Sequence, residues 1–207
     1  MIRGTTMGDI EITLEQQDAL GEMSNISMGS SATALSALLM NCRVEITTPM
    51  VEVIRRSEAL DDYDKTCILV HINYIKGLEG SNILLLQEDD VKRMTDMMMG
   101  GDGSNFQGEL NEMHLSAVSE AMNQMMGSAA TALSKMLNRS IDISPPKTNH
   151  IDVESVKIFE NLFASPKKDI VKVTFRLTVG DHIDSSMVQL YPIELAKQLV
   201  LYFYNCK

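Results

Sequence analysis

The sequence predicts a single α+β domain with an internal pseudo-two-fold duplication, in which two long helices and shorter helices pack on antiparallel β-sheet. Three observations carry this. Residues 20–36 reappear, with most positions alike, as residues 118–134, so that Glu22 and Glu120 stand 98 residues apart. Each copy opens on a long 3.6-residue pattern and then turns to alternation. Each copy also holds two strand-like runs separated by a glycine-containing turn, which is how a hairpin reads.

In the first copy, Thr13 and Gln16 have the spacing of a capping box, and the helical pattern runs from there to about Met40. Val44, Ile46, Val51 and Val53 mark a strand. Residues 67–75 and 81–86 form a hairpin about Gly77 and Gly80, and a short helix follows from about Asp89 to Met99. Gly100–Ser104 ends it. The second copy predicts a helix over about 109–137, strands near 140–152, 169–179 and 183–190, and a final helix started by Pro192. Residues 154–168 read as a loop. The expected division is an N-terminal extension or linker at 1–13 and one domain at 14–207, with halves at about 14–103 and 109–207.

With 207 residues, the chain can bury a sizeable core. Its 18 Lys and Arg against 28 Asp and Glu leave a net charge of −10, which argues against nucleic acid as a partner. No apolar run approaches a membrane span, so direct membrane insertion is not expected. Cys42, Cys67 and Cys206 form no C-x-x-C pair, and a reduced cytosolic setting is the simplest account. The sixteen methionines read mainly as adaptable core filling.

One feature points to chemistry. Asp18, Glu22, Asn25 and Gly29 fall on one helical face, and Ser116, Glu120, Asn123 and Gly127 repeat that face in the second copy. Asn is a poor residue inside a helix, because its amide competes for backbone groups. Two readings stay open: a solvated face copied by duplication, or a site. The nearby Gly29, Thr33 and Ser36, with Gly127, Thr131 and Ser134, also suggest a small-residue face for close helix approach. As chemistry, an amide cannot abstract a proton near neutral pH, but it can fix a water. An ionised Glu suits a Lys or Arg on a partner. Such a pair fits phosphoryl transfer, where positioning supplies most of the catalysis.

These residues, with Pro49 and Pro145 beyond the two helices and the run Asp184–Pro192, resemble the CheC-type chemotaxis phosphatases, in particular their flagellar-motor-switch members. The resemblance covers almost the whole chain from about Leu14. It implies catalytic roles for Glu22, Asn25, Glu120 and Asn123: each Glu pairs with a lysine of the response regulator CheY, and each Asn orients the water that attacks its aspartyl phosphate. Asp18, Ser116, Pro49 and Pro145 take supporting roles. It implies no cofactor on this chain, the Mg²⁺ being carried by the regulator, and phosphorylated CheY as partner. Flagellar switch proteins would be met through regions absent from this chain, at the cytoplasmic face of the motor. An N-terminal regulator-binding peptide and a C-terminal switch domain, usual in such members, are not expected here.

The alternative is a non-catalytic flagellar switch scaffold or regulator-binding module. Other motifs carry less. Gly100–Gly103 lacks the G-K-[ST] of a phosphate loop, and Ser185–Ser186 lacks a nucleophile elbow. His71, His114, His150 and His182 lack metal-ligand spacing, so no metal is assigned. The methionines at 94 and 97–99 read as core or rim.

Overall fold

The computed structural model describes residues 12–59, 67–150, 157, 159–161, 163 and 169–206. The first helix, α1 (Leu14–Leu38), starts at the predicted box: the Thr13 amide donates to Gln16 Oε1 at 2.9 Å, and the Gln16 amide donates to Thr13 Oγ1 at 3.2 Å. Strand β1 (Val44–Arg55) follows, then a 3-10 turn (Arg56–Glu58), the hairpin β2 (Cys67–Lys76) and β3 (Gly80–Gln87), and α2 (Glu88–Met98). The second long helix, α3 (Glu112–Met136), has the same length as α1. Strands β4 (Asp142–Ile143), β5 (Lys147–His150), β6 (Asp169–Val179) and β7 (Ile183–Pro192) lead to α4 (Ile193–Asn205).

Helix α3 begins three residues later than the sequence suggested. Asn111 caps it, its side chain accepting from the Met113 and His114 amides, while His114 Nδ1 accepts from the Asn111 amide. A histidine thus closes the box in place of the Glu or Gln that the pattern looks for. The strand expected at 140–152 is broken in two, because Pro145 and Pro146 cannot donate to a ladder. Most of 154–168, and all of 1–11, lie outside the described residues. Within the expected loop, Lys157 and Phe159–Asn161 are helical, and Phe159 and Phe163 are buried with rings 4.6 Å apart.

All strands pair antiparallel in the order β1-β6-β7-β3-β2, with β4 and β5 both on the outer edge of β2. The order is its own mirror under exchange of the halves. The first strand of each half pairs with the second strand of the other half, and β3 meets β7 at the centre. The turns repeat the exchange. Gly180, in the β6–β7 turn, donates its amide to Arg43 O just after α1. Gly77, in the β2–β3 turn, lies so close to the segment after α3 that a Cβ there would sit 2.2 Å from Ser140 O. Gly77 and Gly180 have positive φ, 81° and 49°, so the turns favour glycine on conformation as well as space.

The main core lies between the helices and one sheet face, built on Leu20, Met23, Leu35, Ile72, Leu84, Met122, Met125, Val173 and Phe175. A smaller cluster on the opposite face gathers Leu69, Ile83, Leu85, Val188 and Leu190 beneath Phe159 and Phe163. Among the described residues eight methionines are buried, Met94 and Met97 included, while Met99 is exposed. Flexible thioethers fill the gaps between two helices and a curved sheet.

Candidate active site

The long helices cross on the pseudo-two-fold axis. Ser30 Oγ and Ser128 Oγ, 98 residues apart, are 2.9 Å from each other, and Ser31 Oγ donates to Met125 O at 2.8 Å. Ser30 meets Ser128 while Ser31 meets the earlier Met125, so the helices run in opposed directions. The close approach therefore uses Ser30, Ser31 and Ser128. Gly29 and Thr33, which the sequence offered for it, are exposed. One residue along a helix turns the side chain by about 100°, enough to move it off the interface.

That rotation leaves Asp18, Glu22, Asn25 and Gly29 together on the outward face of α1, all exposed. Core positions Ala19, Leu20, Met23, Ser27 and Met28 hold the opposite face against the sheet. Asn25 lies about 7 Å along its helix from the crossing at Ser30. Asn123 lies equally far from Ser128 on α3, on the other side of the axis, and Ser116, Glu120 and Asn123 are likewise exposed.

At the first face a groove of about 590 Å³ opens between α1 and β1, lined by Leu14, Gln17, Asp18, Gly21, Glu22, Asn25, Pro49 and Val51. Pro49 belongs to a β-bulge: between Thr47, opposite Arg176, and Met50, opposite Thr174, two residues face one. A proline suits a bulge, which needs no ladder donor there. Gly21 makes the groove floor. A Cβ on it would lie 3.6 Å from Val51 Cγ2.

The second face is built alike and finished differently. Ser119 stands where Gly21 does and Thr148 where Val51 does. Ser119 Oγ donates to Leu115 O at 2.7 Å and accepts from Thr148 Oγ1. Gln124, the counterpart of Ile26, donates from Nε2 to Glu120 Oε1 at 2.9 Å. Because Thr148 follows Val51 by 97 residues, the partner of Pro49 is Pro146, which is buried; Pro145 is exposed beside it. The repeat alignment already paired Gly21 with Ser119 and Ile26 with Gln124, and those differences were the available signal.

Ser185, set aside as a nucleophile, donates its hydroxyl to the buried Asp90 carboxylate, whose pKa burial raises. Beneath α1, Tyr74 and Tyr191 bury their phenols beside Asn82, Tyr191 also against Ser24. Burial pushes the Tyr74 phenol up to about 12 and that of Tyr191 well above its ordinary value. Among the described residues no group of three His, Cys, Asp or Glu could hold a metal ion, and no helix is long and apolar enough to cross a membrane.

A duplicated helix and strand, each copy presenting Glu and Asn outward, define the class, and this chain belongs to the CheC-like family, which matches residues 15–53 and 113–150. Within that family its relatives are FliY proteins. The crystal structure of Thermotoga maritima FliY superposes with a TM-score of 0.87 at 38% identity, covering 95% of this chain and 99% of that one. The flagellar motor switch phosphatase FliY of Bacillus subtilis strain 168 is 49% identical over 185 residues, 89% of this chain and 48% of the relative. The chain thus spans about half the length of that relative. The CheY-P phosphatase CheC of the same strain is 26% identical over 153 residues, 72% of either protein.

Proposed function

We propose that this chain accelerates hydrolysis of the aspartyl phosphate of CheY at both helix faces, without a covalent intermediate. One observation carries the reading: the same outward Glu and Asn, one turn apart, recur at symmetric places on α1 and α3. The names of the FliY and CheC relatives supply the substrate class.

Glu22 and Glu120 are carboxylates on an exposed face, suited to holding a lysine ammonium of the regulator. That contact fixes the docking angle. Asn25 and Asn123, one turn further on, reach the phosphoryl group with an amide that both donates and accepts. Such an amide orients a water in line with the bond to the aspartyl oxygen. The water oxygen bonds to phosphorus, the carboxylate leaves with the bonding pair, and the water's proton departs with inorganic phosphate. Orientation is the chain's contribution, and the divalent cation this chemistry uses is assigned to the regulator. Asp18, Ser116, Pro49 and Pro145 shape the approach. We place the protein in the cytoplasm, at the flagellar motor.

The test is the decay of phosphorylated CheY, with and without this chain. Wild type shortens the lifetime; Asn25→Ala and Asn123→Ala each leave part of the acceleration, and the pair together removes it. Loss of an oriented water costs on the order of 10²-fold per site. A double variant as active as wild type refutes the proposal. Binding with no change in decay leaves the switch-scaffold reading instead.

A further inference from the structure

Gly29 and Gly127 sit well inside two 25-residue helices, where glycine is the least favourable residue after proline. The fold supplies no reason for either. Both have helical backbone with no positive φ, and a Cβ built on either meets nothing within 4 Å. The helix crossing uses Ser30, Ser31 and Ser128 instead. Both helices run unbroken through these positions. The Gly127 carbonyl also accepts from Thr131 Oγ1 at 2.9 Å, which ties that turn down further.

What the two positions share is their place. Each lies one turn beyond the Asn and two turns beyond the Glu on its helix face, Gly29 exposed and Gly127 half-buried. A destabilising residue kept twice, with open space around it, needs an explanation outside the folded chain. We infer that Gly29 and Gly127 are specificity-determining contact positions, where the surface of the phosphorylated regulator rests directly on bare helix backbone. This rests on the function proposed above and adds the footprint of the partner. The absent side chain sets the distance at which Glu and Asn reach the regulator, because any Cβ would hold the two surfaces apart. The partner segment presented there is closely packed main chain or small side chains, since only those can use the space.

The experiment compares wild type, the double variant Gly29→Ala/Gly127→Ala, and the double variant Gly29→Leu/Gly127→Leu. Thermal melting and the decay of phosphorylated CheY, titrated in CheY, are read on each. Ala and Leu are strong helix formers, so melting temperature rises by about 2–4 °C per exchanged residue. KM rises about tenfold for Ala and further for Leu, while kcat changes much less, as expected when two surfaces are overpacked. A structural role would lower melting temperature and leave KM alone. Unchanged KM in both variants overturns the inference, and so does a lowered melting temperature with unchanged KM. Should wild type fail to accelerate decay, the functional proposal has failed. Direct titration of phosphorylated CheY then decides the footprint: weaker binding by the glycine variants supports it, and equal binding refutes it.

Discussion

Lys92 offers a quantitative check on how the second site is held in place. Its side chain is only 7% exposed, yet it is charged, and its ammonium donates to Glu88 at 2.7 Å and to the Gly108 carbonyl at 2.7 Å. The exposed Asp89, 4.0 Å away, adds little. Gly108 belongs to the segment joining the halves, three residues before the Asn111 cap of α3. Lys92 therefore ties α2 to the entry of the helix that carries Glu120 and Asn123. Lys92→Met keeps the apolar stem but removes both charge-assisted bonds, leaving a half-buried Glu88 without its cation. Each such bond is worth about 1.5 kcal/mol, and breaking one partner of a buried pair costs several. The expected loss is about 2–3 kcal/mol in urea unfolding, or about 5–10 °C in melting temperature. In a double-mutant cycle with Glu88→Gln, the coupling should exceed about 1 kcal/mol. A loss below about 0.5 kcal/mol would refute the tie.

Two further outcomes follow from the buried polar groups. Ser31, fully buried, donates to the Met125 carbonyl across the helix crossing. Ser31→Leu should cost about 3 kcal/mol or more by overpacking, measured by denaturant unfolding, whereas Ser31→Ala should cost about 1 kcal/mol. The Tyr74 phenol stays protonated to about pH 12 in the fold but ionises near pH 10 when unfolded. Its folded pKa being the higher, the stability it contributes is complete below pH 10 and is lost as pH rises to about 12. Unfolding free energy should fall across that window, and Tyr74→Phe should flatten the slope; an unchanged slope would contradict the burial.

What the sequence made legible was local or repeated. The Thr13 box, the 3.6-residue pattern of α1 and the hairpin about Gly77 each depend on residues a few positions apart. The Glu and Asn stripes were visible because the duplication wrote them twice. Interactions between distant residues stayed hidden. The register of the small-residue face came out one residue off, since Gly29, Ser30 and Ser31 are equally small and only the packing of the partner helix chooses among them. The Asn111–His114 cap escaped because histidine is an unusual closing residue. The pairing of β1 with β6 rather than β2 had no local signal at all, because alternation reports the buried face of a strand and not its neighbour.

That pairing bears on the sites themselves. The groove beside Glu22 and Asn25 has one wall on α1 and the other on β1, at Pro49 and Val51. Among the described residues, strand β1 is hydrogen-bonded only to β6, which belongs to the other half. Reciprocally, Thr148, which bonds Ser119 beside Glu120, lies on β5, and β5 is held by β2 of the first half. Each site is thus assembled from a helix and a strand of one copy, with the strand positioned by the other. The two halves share one core and exchange strands, so neither can present its Glu and Asn against a formed groove without its partner. Duplication in this chain therefore repeated the Glu and Asn face and made the support of each copy depend on the other. This explains how the groove residues could diverge, Gly21 to Ser119 and Val51 to Thr148, while the Glu and Asn of each stripe stayed alike. The stripes face outward, clear of the core, whereas Ser119 and Thr148 pack against each other.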